Sequence, residues 1–281
     1  MEKMMMIATS LTELRDARRL LEGTIGFVPT MGYLHEGHIS LVRRAWEDCD
    51  HVVASIFVNP TQFGANEDLS KYPRDLKHDL TLLEAAGVEL VWTPTPELMY
   101  PPGFATWVEV EGLTGPLEGA ARPGHFRGVT TIVTKLFNAV QPHKAYFGQK
   151  DAQQAVVIRR MTRDLDFPIE IVVCPTLREA DGLAMSSRNS YLSPEQRTAA
   201  TVLFQALTTA KSAYERGERN AEALRKVMKD VIVSEPRAQM QYVSVADYDS
   251  LEELETLTGK ILLSMAVFMG KTRLIDNFVL E

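Results

Sequence analysis

Apolar positions in the first two-thirds of the chain follow two alternating periods. Short runs rich in β-branched and aromatic residues (25–28, 52–58, 88–92, 145–147 and 169–174) read as buried strands. Between them the spacing turns helical. Ile39, Leu41, Val42, Ala45 and Trp46 make one apolar face, and residues 75–86, 129–140 and 151–164 repeat the pattern. Ser10 followed by Glu13 predicts a capping box, opening a helix that ends near Gly23. Continuous apolar strands separated by helices predict an α/β, Rossmann-like parallel sheet with helices on both faces. Such sheets take ligands at the carboxyl ends of their strands, which directs attention to the loops after Val28, Val58, Phe147 and Cys174.

The pattern changes after about Leu177. A polar, Ser-rich stretch covers 178–193, and Pro194 opens a long helical segment over 194–216, followed by a second over 220–233. Extended runs at 241–245 and 261–268 complete a smaller C-terminal α+β domain. The predicted division is residues 1–176 and residues 185–281, hinged through the Ser-rich stretch.

A net charge of -7 argues against a general nucleic-acid binder while leaving room for a local basic pocket. Cys49 and Cys174 lie far apart, match neither a metal pattern nor a disulfide framework, and read as buried free thiols. Reduced thiols, no signal-peptide pattern in MEKMMMIATS and no apolar run near ~20 residues predict a cytoplasmic protein without membrane partners.

The chemistry concentrates in four loops. In Pro29-Thr-Met-Gly-Tyr-Leu-His-Glu-Gly-His38, His35 and His38 are three apart at a helix start, and Gly37 removes a side chain there. Backbone N–H groups and the helix dipole at such an end favour phosphate. The plainer account makes Gly32 and Gly37 turn residues and the histidines surface groups; the preceding strand and following helix favour phosphate. A zinc site lacks a third ligand nearby. After the next strand, Asn59 and Gln62 bring amides suited to hydroxyl and carboxylate recognition, or Asn59 simply caps a turn. In Phe147-Gly-Gln-Lys-Asp-Ala-Gln-Gln154, Lys150 suits a triphosphate, Gln154 follows one turn later, and Asp151 either caps the helix or meets ligand. Met185-Ser-Ser-Arg188 joins two hydroxyls to a guanidinium that grips oxyanions, although a flexible linker has the same composition.

The HxGH spacing resembles the nucleotidyltransferase superfamily that includes class I aminoacyl-tRNA synthetases. PTMGYLHEGH, SIFVNPTQFG, KYPRDL, RPGHFRGVTTIVTKLFNAVQP, YFGQKDAQQ, DGLAMSSRNSYLS and the final RLIDN run through the whole chain in order. Together they make it similar to the pantothenate synthetase (pantoate–β-alanine ligase) family. The resemblance implies ATP-dependent condensation of pantoate with β-alanine through pantoyl adenylate, releasing AMP and pyrophosphate, in a homodimer. It implies that Met31, Gly32, Tyr33, Leu34, His35, Glu36, Gly37 and His38 line the ATP site. Gly148, Gln149, Lys150, Asp151, Leu177, Met185, Ser186, Ser187 and Arg188 complete it. His35, His38 and Lys150 are the implied catalytic groups, with His38 either a general acid or a phosphate stabiliser. Gln62 and Gln154 are the implied pantoate-binding amides, Gln62 also meeting β-alanine, and Asp79 is the implied Mg²⁺ ligand. Three departures stand out: His78 where some relatives carry an aspartate, Gln149 where many carry an acid, and MSSR without the lysines of KMSKS. The rival readings are another adenylyl or cytidylyl transferase on the same scaffold, and a non-catalytic nucleotide-binding protein.

Overall fold

The computed structural model describes residues 5–64, 67 and 69–281. The first part runs β1 (Met6–Ala8), α1 (Leu11–Arg19), β2 (Ile25–Thr30), α2 (Glu36–Asp48), β3 (His51–Ile56), α3 (Leu76–Ala85) and β4 (Leu90–Trp92). It continues with α4 (Pro96–Met99), α5 (Glu118–Ala121), α6 (His125–Val140), β5 (Lys144–Gly148), α7 (Ala152–Asp164) and β6 (Glu170–Cys174). The capping box of Ser10 and Glu13 forms as expected, but α1 stops at Arg19, where Leu20 already closes the last turn.

Six strands form one parallel sheet in the order β1-β4-β3-β2-β5-β6. The order reverses between β2 and β5, the switch point at which open α/β sheets leave a crevice beyond the strand ends. Adjacent residues Phe27 and Val28 of β2 and Val52, Val53 and Ala54 of β3 are fully buried, so both faces of the sheet are covered. Val28, Val52, Ala54 and Val91 pack with Ile39, Val42 and Ala45 of α2 and Leu83 of α3. Cys49 and Cys174 are free thiols buried at this sheet, and burial pushes both up, Cys174 to about 11. Among the described residues no helix is long and apolar enough to cross a membrane.

The remainder comprises α8 (Pro194–Ala199), α9 (Val202–Glu215), α10 (Ala221–Val233), β7 (Ala238–Asp247), β8 (Ile261–Met269) and β9 (Thr272–Leu280). The sequence reads α8 and α9 as one helix. The backbone stays right-handed through Ala200 and Thr201, so the break is a brief turn without Pro or Gly. The three strands form an antiparallel sheet, β7-β8-β9. Leu263, Met265 and Val267 of β8 pack under Leu203 and Leu207 of α9 and Leu224 and Met228 of α10.

The chain divides into two compact units. One is Met1–Gly148 with Val157–Cys174; the other is Gln149–Val156 with Pro175–Glu281. Compared with the boundary expected at 176/185, the turn carrying Lys150 and the first residues of α7 belong with the C-terminal unit. The Ser-rich stretch opens with a hairpin. Arg178 bridges Ala184, Glu179 N–H donates to Leu183 O at 2.9 Å, and Met185 N–H to Leu177 O at 3.0 Å.

Candidate functional site

In the first unit β2 delivers Thr30 to the switch point, and the chain then turns through two left-handed residues, Gly32 (φ +80°) and Tyr33 (φ +52°). A non-glycine residue in that region carries ~1–2 kcal/mol of strain, and the contacts that hold it are visible. Tyr33 N–H donates to Asp79 Oδ2 at 2.8 Å and Leu34 N–H donates to Oδ1 at 2.6 Å. Asp79, on α3, is 1% exposed. Burial raises its carboxyl above the usual range, opposed by the two N–H bonds. Leu34 turns its side chain into the apolar cluster beneath, so only its backbone belongs to the loop.

The histidines that follow form a reciprocal cap. His35 is the N-cap of α2, its Nδ1 accepting the Gly37 N–H at 3.1 Å, while His38 Nδ1 accepts the His35 N–H at 3.2 Å. With Nδ1 an acceptor in each ring, the neutral imidazole carries its proton on Nε2. The rings lie 4.1 Å apart, tilted by 45°. H-x-x-H is therefore a capping device as well as a donor pair, a role the sequence reading did not foresee. Glu36, the next residue, points outward and pairs with Arg43.

β3 leads to a 3₁₀ turn, Pro60–Gln62, capped by the Asn59 side chain. Asn59 Nδ2 donates to Gln62 Oε1 and to Gly128 O, each at 3.1 Å, and Gln62 Nε2 donates to Met31 Sδ at 2.9 Å. Gln62 is thus tied to the loop after β2. α6 reaches this turn only because residue 128 is glycine: a Cβ there would stand 2.4 Å from Thr61 O.

The RPGH segment supports Gln62 from behind. Arg122 donates to both carboxylate oxygens of Glu67 at 2.7 and 2.6 Å and to Gln62 O at 3.3 Å. Burial opposes ionisation of Glu67, yet Arg122 holds its carboxyl below the usual value. His125 contacts Gln62 O through Nδ1 at 2.8 Å and Arg122 Nη1 through Nε2 at 3.1 Å. The carbonyl requires a donor and the guanidinium an acceptor, so the ring is the neutral Nδ1–H tautomer. Burial, with Arg122 beside it, lowers its pKa to about 4. Beside this turn lies a cavity of about 130 Å³ lined by Thr61, Phe63, Trp107, His125 and Arg127, too small for a nucleotide.

In the second unit Gln149–Asp151 forms a 3₁₀ turn before α7. Lys150 Nζ lies 3.6 Å from Asp151 Oδ1. Asn277 of β9 donates through Nδ2 to Gln149 O at 3.0 Å and Lys150 O at 2.8 Å, and its Oδ1 accepts from Gln149 Nε2 at 3.0 Å. Tyr248 OH donates to Gln149 Oε1 at 3.3 Å. Gln154 is half-buried in α7, and its side chain makes no hydrogen bond among the described residues. The hairpin sets Leu177 and Met185 side by side, and Ser186 then caps the 3₁₀ turn Ser187–Tyr191 by accepting the Arg188 N–H at 3.3 Å. Arg178 fixes the hairpin through a bidentate pair with Asp276 at 2.7 and 2.8 Å.

Among the described residues no group of three or more His, Cys, Asp or Glu side chains could hold a metal ion. Asp79, read from sequence as the magnesium ligand, directs both oxygens into backbone N–H groups, and the Gly32 backbone closes over Oδ2. These two bonds shape the loop. The sequence reading also assigned no role to Glu67, Arg122, His125, Arg178, Asp276 or Asn277. The RPGH and RLIDN motifs were the available signal for most of them.

A parallel sheet with an HxGH loop at its switch point defines the class: a Rossmann-like α/β protein. Comparison with known proteins gives the family. The family model for pantoate–β-alanine ligase matches residues 4–279. The pantothenate synthetase of Roseiflexus sp. (strain RS-1) is 64% identical over 277 residues, covering 99% of this chain and 100% of the relative. That of Herpetosiphon aurantiacus is 61% identical, covering 98% of this chain and 100% of the relative. The solved pantothenate synthetase of Thermus thermophilus superposes with a TM-score of 0.94 at 48% identity, over 98% of this chain and 99% of that one. The pantoate–β-alanine ligase of Francisella tularensis, solved with β-γ ATP and β-alanine, superposes with a TM-score of 0.80 at 36% identity, over 98% of each chain. The chain belongs to the pantoate–β-alanine ligase family.

Proposed function

We propose that this chain condenses pantoate with β-alanine at the expense of ATP, in two steps. A pantoate carboxylate oxygen attacks the α-phosphorus, the bond to the β-phosphate breaks, and pyrophosphate leaves. The amine of β-alanine then attacks the acyl carbon of pantoyl adenylate, AMP departs with the bonding pair, and the nitrogen loses its proton. Activation is needed because a free carboxylate resists amine attack. Holding both reactants in line removes much of the entropic barrier.

The observation that carries this reading is the reciprocal cap of His35 and His38 at the start of α2. It fixes both rings with Nε2–H as donor beside a helix N-terminus, an arrangement suited to phosphate oxygens. On this reading His38 stabilises charge by donating a hydrogen bond, Lys150 and Arg188 offset the phosphates, and Gln62 and Gln154 bind pantoate. Mg²⁺ enters as the companion of the nucleotide, which fits a hard ion that uses few protein ligands. Dimerisation and cytoplasmic residence belong to the same reading, and sedimentation velocity tests the first.

Purified protein incubated with pantoate, β-alanine, ATP and Mg²⁺ should yield pantothenate, AMP and pyrophosphate together, each dependent on pantoate, as read by mass spectrometry. ADP and phosphate in place of AMP would overturn the adenylate route. A nucleotide conjugate without an amide would make the chain a transferase, and bound ATP without turnover a binding protein.

A further inference from the structure

We propose that the dipeptide Asp276–Asn277 of β9 is a bracket that sets where the two phosphate-facing segments of the second unit stand. Asn277 positions Lys150 directly, and Asp276 positions the 177–188 segment through Arg178. The inference rests on the reading above that Lys150 and Arg188 face the nucleotide phosphates.

The Asn277 amide is buried, 4% exposed, and its orientation is unambiguous. Nδ2 faces two consecutive carbonyls, Gln149 O at 3.0 Å and Lys150 O at 2.8 Å, so an oxygen in its place would meet two acceptors. Both donors of one side chain thus hold the peptide units on either side of the Lys150 Cα. The third bond, from Gln149 Nε2 to Asn277 Oδ1 at 3.0 Å, closes the clamp around the turn. The strand register prepares the approach. Ser244, Ser264 and Asn277 form one row across β7, β8 and β9, and the two serines are small enough to leave room beside the amide.

Asp276, the preceding residue, points to the opposite side of the strand and is 2% exposed. Its bidentate pair holds Arg178, whose guanidinium also donates to Gly182 O at 3.0 Å and lies 5.0 Å from the Phe204 and Phe278 rings. Arg178 begins the hairpin that leads to Ser186–Arg188, so the β9 dipeptide reaches both segments. A lysine on a short turn has many rotamers, and fixing its backbone restricts where the ammonium can stand. A misplacement of ~1 Å is worth roughly 10²-fold in rate.

The test separates the two half-reactions. Asn277→Ala should slow pantoate-dependent pyrophosphate–ATP exchange by roughly 10²-fold, while its use of supplied pantoyl adenylate and β-alanine stays within about twofold of the native chain. Asn277→Asp keeps the shape but turns a carboxylate on the two carbonyls, and should lose exchange at least as far. Asn277→Ser, retaining one donor, should fall between, and it decides the matter if the other variants do not fold. Native exchange in the variants, or equal loss in both half-reactions, would overturn the bracket. Lys150→Ala run alongside tests the underlying reading: exchange unaffected by it removes Lys150 from the phosphates, whatever Asn277 does.

Discussion

The loop after β2 and the turn after β5 start from the two strands that flank the sheet's switch point, yet their geometry is secured differently. From His35 to His38 the stabilising bonds are local, each histidine bonding a backbone N–H two or three residues away. The backbone of the Gln149–Asp151 turn is held from afar, by Asn277, 127 and 128 residues further on. A locally capped loop keeps its shape as long as its helix survives. A turn held from a remote strand inherits any displacement of that strand. The first arrangement suits donors that need a fixed tautomer, and the second ties a flexible lysine to a rigid sheet.

The contrast is sharpest in the two arginine pairs that support these regions. Arg178 pairs with an Asp276 carboxylate whose side chain is 1% exposed, whereas Glu67, the partner of Arg122, is 24% exposed. Removing one member of a buried pair leaves an uncompensated charge, at a cost of about 3–5 kcal/mol. We expect Arg178→Met to lose that much stability in thermal or denaturant unfolding, and Arg122→Met to lose roughly 1–2 kcal/mol because water reaches Glu67. Equal losses would mean that burial of the carboxylate is not what distinguishes the two supports.

His125 brings pH into the same comparison. Its folded pKa of about 4 lies below the ordinary histidine value of 6.5, so the folded state binds the proton less well. The sign follows: its contribution is fully present above pH 6.5 and is lost as pH falls towards 4, amounting to on the order of 3 kcal/mol at ~1.4 kcal/mol per unit. Arg122, Glu67 and Glu118 are the charges that face the ring. His125→Phe should flatten the acid limb of unfolding free energy against pH in this window. An unchanged limb would assign the acid sensitivity to other groups.

Local physics was legible in the sequence and remote physics was not. The parallel strands, the switch-point loops and the cap of α1 follow from apolar period and capping residues within a few positions of each other. β1 and β9 escaped. β1 is three residues long, and β9 interrupts its apolar alternation with Arg273, Asp276 and Asn277. The two buried polar residues there are intelligible only through partners about a hundred residues away. The same limit applies to Asp79. The family resemblance implies a Mg²⁺ ligand there, and only the fold brings it beneath Tyr33 and Leu34. Asp79→Asn replaces one of two acceptors with a donor that faces an N–H. It should cost about 2 kcal/mol while leaving the Mg²⁺ requirement of adenylate formation unchanged. A tenfold rise in that requirement would make Asp79 a ligand.

The smallest expected effect separates the two amides proposed to bind pantoate. The Gln62 side chain is committed at both ends, to Asn59 and Met31, whereas the Gln154 side chain has no hydrogen-bond partner among the described residues. A pre-held amide binds ligand without losing rotamer freedom, but it also contributes to the fold. Gln62→Leu leaves an Asn59 donor unmatched and should lower Tm by about 2–4 °C, the equivalent of ~1 kcal/mol. Gln154→Leu should leave Tm unchanged. Both variants should raise the pantoate KM by roughly tenfold, since each deletes one polar recognition pair. A Tm loss in Gln62→Leu without any change in pantoate dependence would make Gln62 a structural amide and leave recognition to Gln154. The reverse pattern would show that the hydrogen bond to Asn59 is too weakly held to matter for folding.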